Sequence, residues 1–123
     1  VLLVEDSPDN QTLLTHFLTL AGAQVQVADN GKEGVAYAME NSYDVILMDI
    51  QMPVLDGYAA TRQLRGQKYA KPILALTAHA LKEERDRCLA AGCDDHLTKP
   101  VNREELLKRI AVHHARQESR AIH

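Results

Sequence analysis

Short apolar runs alternate along the chain with stretches in which apolar positions recur every three or four residues. Val1-Leu2-Leu3-Val4 reads as a strand, and Ser7-Pro8 then supplies a helix N-cap with proline at the first helical position. That helix carries Leu14, Phe17, Leu18 and Ala21 as an apolar stripe and stops at Gly22. Residues 24–28 alternate as a second strand, with Val25 and Val27 on one face. Asn30-Gly31 turns into a helix carrying Val35, Ala38 and Met39. Residues 44–49 form a central strand, Asp56-Gly57 marks a turn, and a helix over 58–65 follows. A fourth strand spans 72–77, and a helix over 81–91 stops at Gly92. A short fifth strand covers 95–98, and an amphipathic helix covers 103–114 before a polar end with weak helical pattern. Successive strand–helix units predict a parallel sheet covered on both faces by helices, with right-handed connections.

Composition adds little to that picture and excludes some functions. The chain has 123 residues, enough for one domain with a buried core, with 46% hydrophobic and 25% charged residues. A net charge of −3 gives no nucleic-acid footprint. The longest apolar runs reach about five residues, against roughly 20 for a membrane span, and no secretory segment is visible. Cys88 and Cys93 have neither redox nor zinc spacing and are expected to pack as small hydrophobes in a cytoplasmic protein. The opening on Val1, without an initiator methionine, is what an excised domain or an untraced start would give.

The chemistry gathers where strands end. In open α/β sheets, ligands bind outside the carboxyl ends of the strands. Glu5-Asp6 follows the first strand, Asp49 ends the third, Thr77 ends the fourth and Lys99-Pro100 follows the fifth. Carboxylates brought together at neighbouring strand tips repel one another unless a cation intervenes. Oxygen ligands with open positions suit Mg²⁺, which keeps several waters and prefers one or two carboxylates plus a phosphate. Taken singly, Glu5-Asp6 is also what a solvated acidic loop looks like, Thr77 a β-former closing its strand, and Lys99-Pro100 an ordinary strand exit. The combination is what points to a phosphorylation site.

In four places the chain resembles a response-regulator receiver domain, the phosphoacceptor module of two-component signalling. They are Val4-Glu5-Asp6-Ser7, the stretch Met48-Asp49-Ile50-Gln51-Met52-Pro53-Val54-Leu55-Asp56-Gly57, Leu76-Thr77-Ala78-His79-Ala80 and Leu97-Thr98-Lys99-Pro100. The resemblance implies a flavodoxin-like three-layer α/β sandwich, with a five-stranded parallel sheet in the order 2-1-3-4-5 and five helices. The receiver would occupy residues 1–117, with a polar tail over 118–123. Asp49 would accept a phosphoryl group from a phosphohistidine. Mg²⁺, with Mn²⁺ as a substitute, would be held by Asp6, Asp49 and the backbone carbonyl of Gln51, with Glu5 acting directly or through water. Lys99 and Thr77 would contact phosphoryl oxygens, and Lys99 could pair with Asp49 beforehand. The Lys99–Pro100 peptide is expected to be cis. Gln51 and His79 match positions that tune acyl-phosphate lifetime, so self-phosphorylation and autodephosphorylation are implied activities.

In the family, a Thr shift draws an aromatic residue of the fifth strand inward, and the matching residue here is His96. This departs from the usual Tyr or Phe. It is expected either to give a switch of reduced contrast that responds to pH, or to be an edge histidine with no such role. The readout face would carry Lys82, Glu83, Arg87, Asp94, Arg103, Glu104 and Lys108. His16, His113, His114 and His123 are expected at the surface. Implied partners are a histidine kinase or a histidine phosphotransfer protein; the motifs look most like receivers attached to hybrid sensor histidine kinases, with a stand-alone regulator or one fused to an output domain as the alternatives. Neither nucleic-acid binding nor membrane insertion by the domain is expected.

Rival readings fit less well. A dehalogenase-type phosphatase needs a second Asp two residues after the nucleophile, where this chain has Gln51. A flavin or dinucleotide binder wants an anion-binding loop where Glu5-Asp6 stands. The remaining alternative is a phosphorylation-independent pseudo-receiver acting as a protein-interaction module, although such proteins usually lose one of the residues kept here.

Overall fold

The structure is a computed structural model; it describes the chain except Pro53, Ala80 and His123, and for residues 116–122 it describes the backbone alone. Strands and helices alternate throughout: β1 (Leu2–Val4), α1 (Pro8–Leu20), β2 (Gln26–Ala28), α2 (Gly31–Glu40), β3 (Ile46–Asp49), α3 (Gly57–Gly66), β4 (Ile73–Thr77), α4 (Lys82–Ala91), β5 (Asp95–Thr98) and α5 (Arg103–Ile122). The five strands are parallel in the order β2-β1-β3-β4-β5, which is the doubly wound, flavodoxin-like arrangement.

Helix starts follow the capping residues. The Ser7 hydroxyl accepts from the Asn10 amide, Asn30 from Glu33 and Asp56 from Ala59, so orphan amides of the first turns are satisfied. α1 and α4 are followed by glycines with positive φ, Gly22 at 90° and Gly92 at 113°. α5 runs to Ile122, well past the point where its amphipathic pattern fades. Residues 115–122 include strong helix formers and no Gly or Pro, so nothing local stops the helix.

The central strands are buried on both faces, as continuous apolar runs in a parallel sheet must be. Leu2, Val4, Ile46, Met48, Ile73 and Ala75 face α2, α3 and α4 in one core layer, which includes Val35, Ala38, Leu64, Cys88 and Cys93. Leu3, Val45, Leu47, Leu74, Leu76 and Leu97 face α1 and α5, meeting Leu14, Leu18 and Leu106. Both cysteines are buried and free, and burial pushes both thiols up, Cys93 to about 12.

A single side chain fastens the far end of the sheet. Arg65, in the last turn of α3, donates to the carbonyls of Gly92, Tyr69 and Lys71 and pairs with Asp94 at 2.8 Å. Asp94 in turn accepts from the Ile73 amide, so the entrances to β4 and β5 are locked to α3. With that end fixed, the polar residues at the opposite ends of β1, β3, β4 and β5 stand on a rigid apolar base.

Candidate functional site

Strand ends converge on one acidic pocket. β1 hands the chain to Glu5 and Asp6, β3 ends in Asp49 and β4 ends in Thr77. Carboxylate oxygens from Glu5, Asp6 and Asp49 lie within 4.8 Å of one another. Glu5 is wholly buried and Asp49 nearly so, while Asp6 is exposed. Carboxylates taken out of water at this range need compensation. It comes from beyond β5, where Lys99 Nζ lies 3.1 Å from Glu5 Oε2 and 3.2 Å from Asp49 Oδ2. The Lys99–Asp49 pairing is legible in the sequence pattern, but the equally close pairing with Glu5 is not.

The rest of the pocket is held by short local bonds. Asn10 Nδ2 donates to Glu5 Oε1 at 3.1 Å, and the Ser7 amide donates to the same oxygen at 3.4 Å. The Gln51 amide donates to Asp49 Oδ1 at 3.2 Å, folding the β3–α3 loop back over the carboxylate. Thr77 is buried, and its hydroxyl donates to the His79 carbonyl at 3.0 Å. The Gln51 and His79 side chains are exposed at the rim. The Lys99–Pro100 peptide is cis. Pro53 and Ala80, within the motifs flanking Asp49 and Thr77, lie outside the described residues.

The β3–α3 loop is under unusual constraint. Val54 has φ 71°, a left-handed conformation that a β-branched residue rarely adopts, and its side chain is 77% exposed. Gly57 lies so close to β3 that an added Cβ would sit 2.3 Å from the Asp49 carbonyl oxygen. Only glycine lets α3 begin there, directly against β3.

Electrostatics follow the geometry. Burial, and then the neighbouring Glu5, push the Asp49 carboxyl up from its ordinary 3.8 to about 7, while Lys99 and the Gln51 amide pull the other way. Burial disfavours the Lys99 ammonium, but Asp49 and Glu5 outweigh it and hold its pKa above the usual lysine value. A pocket with this surplus of carboxylate oxygen fits a hard divalent cation, and Mg²⁺ is the ion whose ligand preference it meets. Among the described residues this is the one cluster of acid, His or Cys side chains with metal-binding proximity. A cleft of about 610 Å³ between Val1, Gly22 and Asp44 lies at the other end of the sheet and contains none of these groups.

The histidines are not alike. His16 is exposed and His114 half-buried, but His113 is buried, contrary to the surface position expected for it. Its Nε2 lies 3.0 Å from Asp95 Oδ2, and Asp95 also accepts two bonds from Arg109. Burial raises the Asp95 pKa, but the Arg109 and His113 hydrogen bonds outweigh it and hold the carboxyl below the ordinary range. The partner that buries His113 is 18 residues away on another element, so sequence spacing gave no sign of it. His96 is half-buried on β5, with Nδ1 4.0 Å from Asp95 Oδ1. His123 lies outside the described residues.

Fold and pocket together define a doubly wound α/β domain with three acidic side chains and one lysine gathered at the carboxyl ends of its strands. The family model described as the response regulator receiver domain matches residues 1–111, and the chain belongs to that family. It is 45% identical over 111 residues to Two-component system protein A of Emericella nidulans, covering 88% of this chain and 16% of that protein. It is 37% identical over 113 residues to the sensor histidine kinase RcsC of Salmonella typhi, covering 92% of this chain and 12% of that one. The chain thus spans only a small part of these relatives. Among solved structures, it is similar to the receiver domain of a Pseudomonas aeruginosa sensor histidine kinase with a magnesium ion coordinated in the active-site cleft. That likeness has a TM-score of 0.87 and 45% identity, over 93% of this chain and 95% of the other. It is also similar to the receiver of the Saccharomyces cerevisiae response regulator Ssk1, solved with the phosphotransfer protein Ypd1. Here the TM-score is 0.87 with 37% identity, over 94% of this chain and 88% of the other.

The raised Asp49 carboxyl sets a pH dependence. The folded protein holds this proton more tightly than the unfolded chain does. Its contribution to stability is therefore complete below about pH 4 and is lost as pH rises through about 7. Urea midpoints of metal-free protein should fall between about pH 5 and pH 8, with a shallower fall in Asp49→Asn. Parallel profiles for the two proteins would contradict the assignment.

Proposed function

We propose that Asp49 accepts a phosphoryl group from a phosphohistidine and that the chain, a receiver domain of a two-component phosphorelay, passes this event to a partner. The observation that carries the reading is a single strand-tip carboxylate sharing one ammonium with a buried glutamate, beside an exposed aspartate. In the step itself, an Asp49 carboxylate oxygen forms a bond to phosphorus. The phosphorus–nitrogen bond of the donor breaks, its electron pair staying on the imidazole. Lys99 turns from Asp49 to a phosphoryl oxygen as a compact cation. Thr77 gives up the His79 carbonyl and donates its hydroxyl to another. Asp6, Asp49 and the Gln51 carbonyl would hold Mg²⁺, or Mn²⁺ in its place, with Glu5 acting directly or through water. When bound, that ion neutralises charge on the phosphoryl oxygens. The side chains of Gln51 and His79, exposed at the rim, control approach of the water that removes the phosphoryl group.

The output side follows from the same elements. Thr77 and His96 belong to adjacent strands, paired through Thr77 with Thr98 and Ala75 with His96. Movement of Thr77 toward the phosphoryl group opens space behind it for the His96 ring. The receiver occupies residues 1–117 and sits on the cytoplasmic side, as part of a longer chain that includes a kinase or output domain, as the names and lengths of the sensor-kinase relatives suggest. Its phosphodonor is a histidine kinase or a histidine phosphotransfer protein, a reading supported by the Ssk1–Ypd1 likeness. No helix among the described residues is long and apolar enough to cross a membrane.

Intact mass after incubation with acetyl phosphate tests the acceptor. We expect a phosphoryl adduct that requires Mg²⁺ and is absent from Asp49→Asn. A folded wild type that gains no adduct from acetyl phosphate or from any phosphohistidine donor would leave a pseudo-receiver. For the switch, phosphate-driven amide shifts compared at two pH values should differ between wild type and His96→Tyr. Identical responses in the two proteins would remove His96 from the mechanism.

A further inference from the structure

We infer that Asn10 is a positioning residue for the metal pocket, the donor that keeps Glu5 aimed at the cation after Lys99 has left it. The inference rests on the metal reading above and goes beyond it in naming a residue outside the acid pair, the acceptor and the Lys.

Glu5 is the most enclosed charge of the site, wholly buried and facing Asp49. Its Oε1 accepts from Asn10 Nδ2 at 3.1 Å, from the Ser7 amide at 3.4 Å and from Lys99 at 3.3 Å; Oε2 accepts from Lys99 at 3.1 Å. These bonds differ in permanence. Lys99 is a long flexible side chain also shared with Asp49, and it is the group that turns to the phosphoryl oxygen. Asn10 sits in the first turn of α1, where its own amide is fixed by the Ser7 cap. The next residue, Gln11, ties the same turn to the Glu5 carbonyl at 2.5 Å and to Asp29 at 2.8 Å. The first turn of α1 is thus bolted to the β1 exit, and Asn10 reaches from it with one side-chain amide. That amide engages Oε1 and leaves Oε2 as the oxygen that can turn to the metal or its water once Lys99 departs. Without it, a buried carboxylate would have only a long backbone contact to hold its orientation. Hydrogen bonds that orient ligating carboxylates commonly change metal affinity by about 10-fold or more when removed.

The test is isothermal titration of the metal-free chain with Mg²⁺, with circular dichroism to verify folding. Asn10→Leu keeps the volume and removes the donor, and Asn10→Ser keeps polarity but is too short to reach. Both should weaken Mg²⁺ binding by about 5- to 10-fold, with acetyl-phosphate labelling at saturating Mg²⁺ within about threefold of wild type. In a Glu5→Gln background, Asn10→Leu should cause no further loss, because its effect passes through Glu5. Wild-type affinity in both single variants, or full additivity in the double variant, overturns the assignment while the metal reading stands. A wild type that binds no Mg²⁺ overturns the metal reading and this inference with it.

Discussion

One ammonium shared between two buried carboxylates is the interaction on which this site depends. Glu5 and Asp49 are withdrawn from water at the tips of adjacent strands, a placement that is unfavourable unless positive charge accompanies them. Lys99 meets both, at 3.1 and 3.2 Å, from 94 residues beyond Glu5. The compensation is incomplete, and the raised Asp49 carboxyl is its signature. A pocket left in this state fits a divalent cation, which under the proposed function would free Lys99 to serve the phosphoryl group. On that proposal, the same incompleteness that costs stability prepares the reaction.

That arrangement is possible because the sheet beneath it is rigid and apolar. Parallel strands buried on both faces bring their carboxyl ends to one edge, and the Arg65 clamp secures the opposite edge. Local adaptation gathers at the strand exits: a strained Val54, Gly57 pressed against the Asp49 carbonyl, and a Thr77 hydroxyl bonded to the His79 carbonyl nearby. The groups that would change partner in the proposed transfer, Lys99 and Thr77, stand just after β5 and at the end of β4. Those that hold orientation, Asn10 and Ser7, come from the first turn of α1.

The sequence revealed strand-end chemistry well because a parallel sheet makes position readable. An apolar run followed by an acid, a Thr or a Lys-Pro marks a strand tip, and the tips are neighbours by topology. Element order, the Ser7 cap, the turns at Asn30 and Asp56 and the alternation of strands with helices were legible for the same reason. Interactions across elements were not. The Glu5–Lys99 pair, the Asn10 bond to Glu5 and the burial of His113 against Asp95 depend on which side chains meet in space. The length of α5 was missed for a different reason: its polar end lacks periodicity but also lacks any residue that would break a helix.

The central claim is that Lys99 substitutes for a metal ion in balancing the pocket, and thermal unfolding of Lys99→Met with and without Mg²⁺ tests it most directly. Without metal the variant should be destabilised by about 2 kcal/mol or more, since its partners stay buried and unpaired. Added Mg²⁺ should raise its midpoint further than it raises that of wild type. A variant as stable as wild type without metal, or one whose midpoint responds to Mg²⁺ no more than wild type does, would contradict the account.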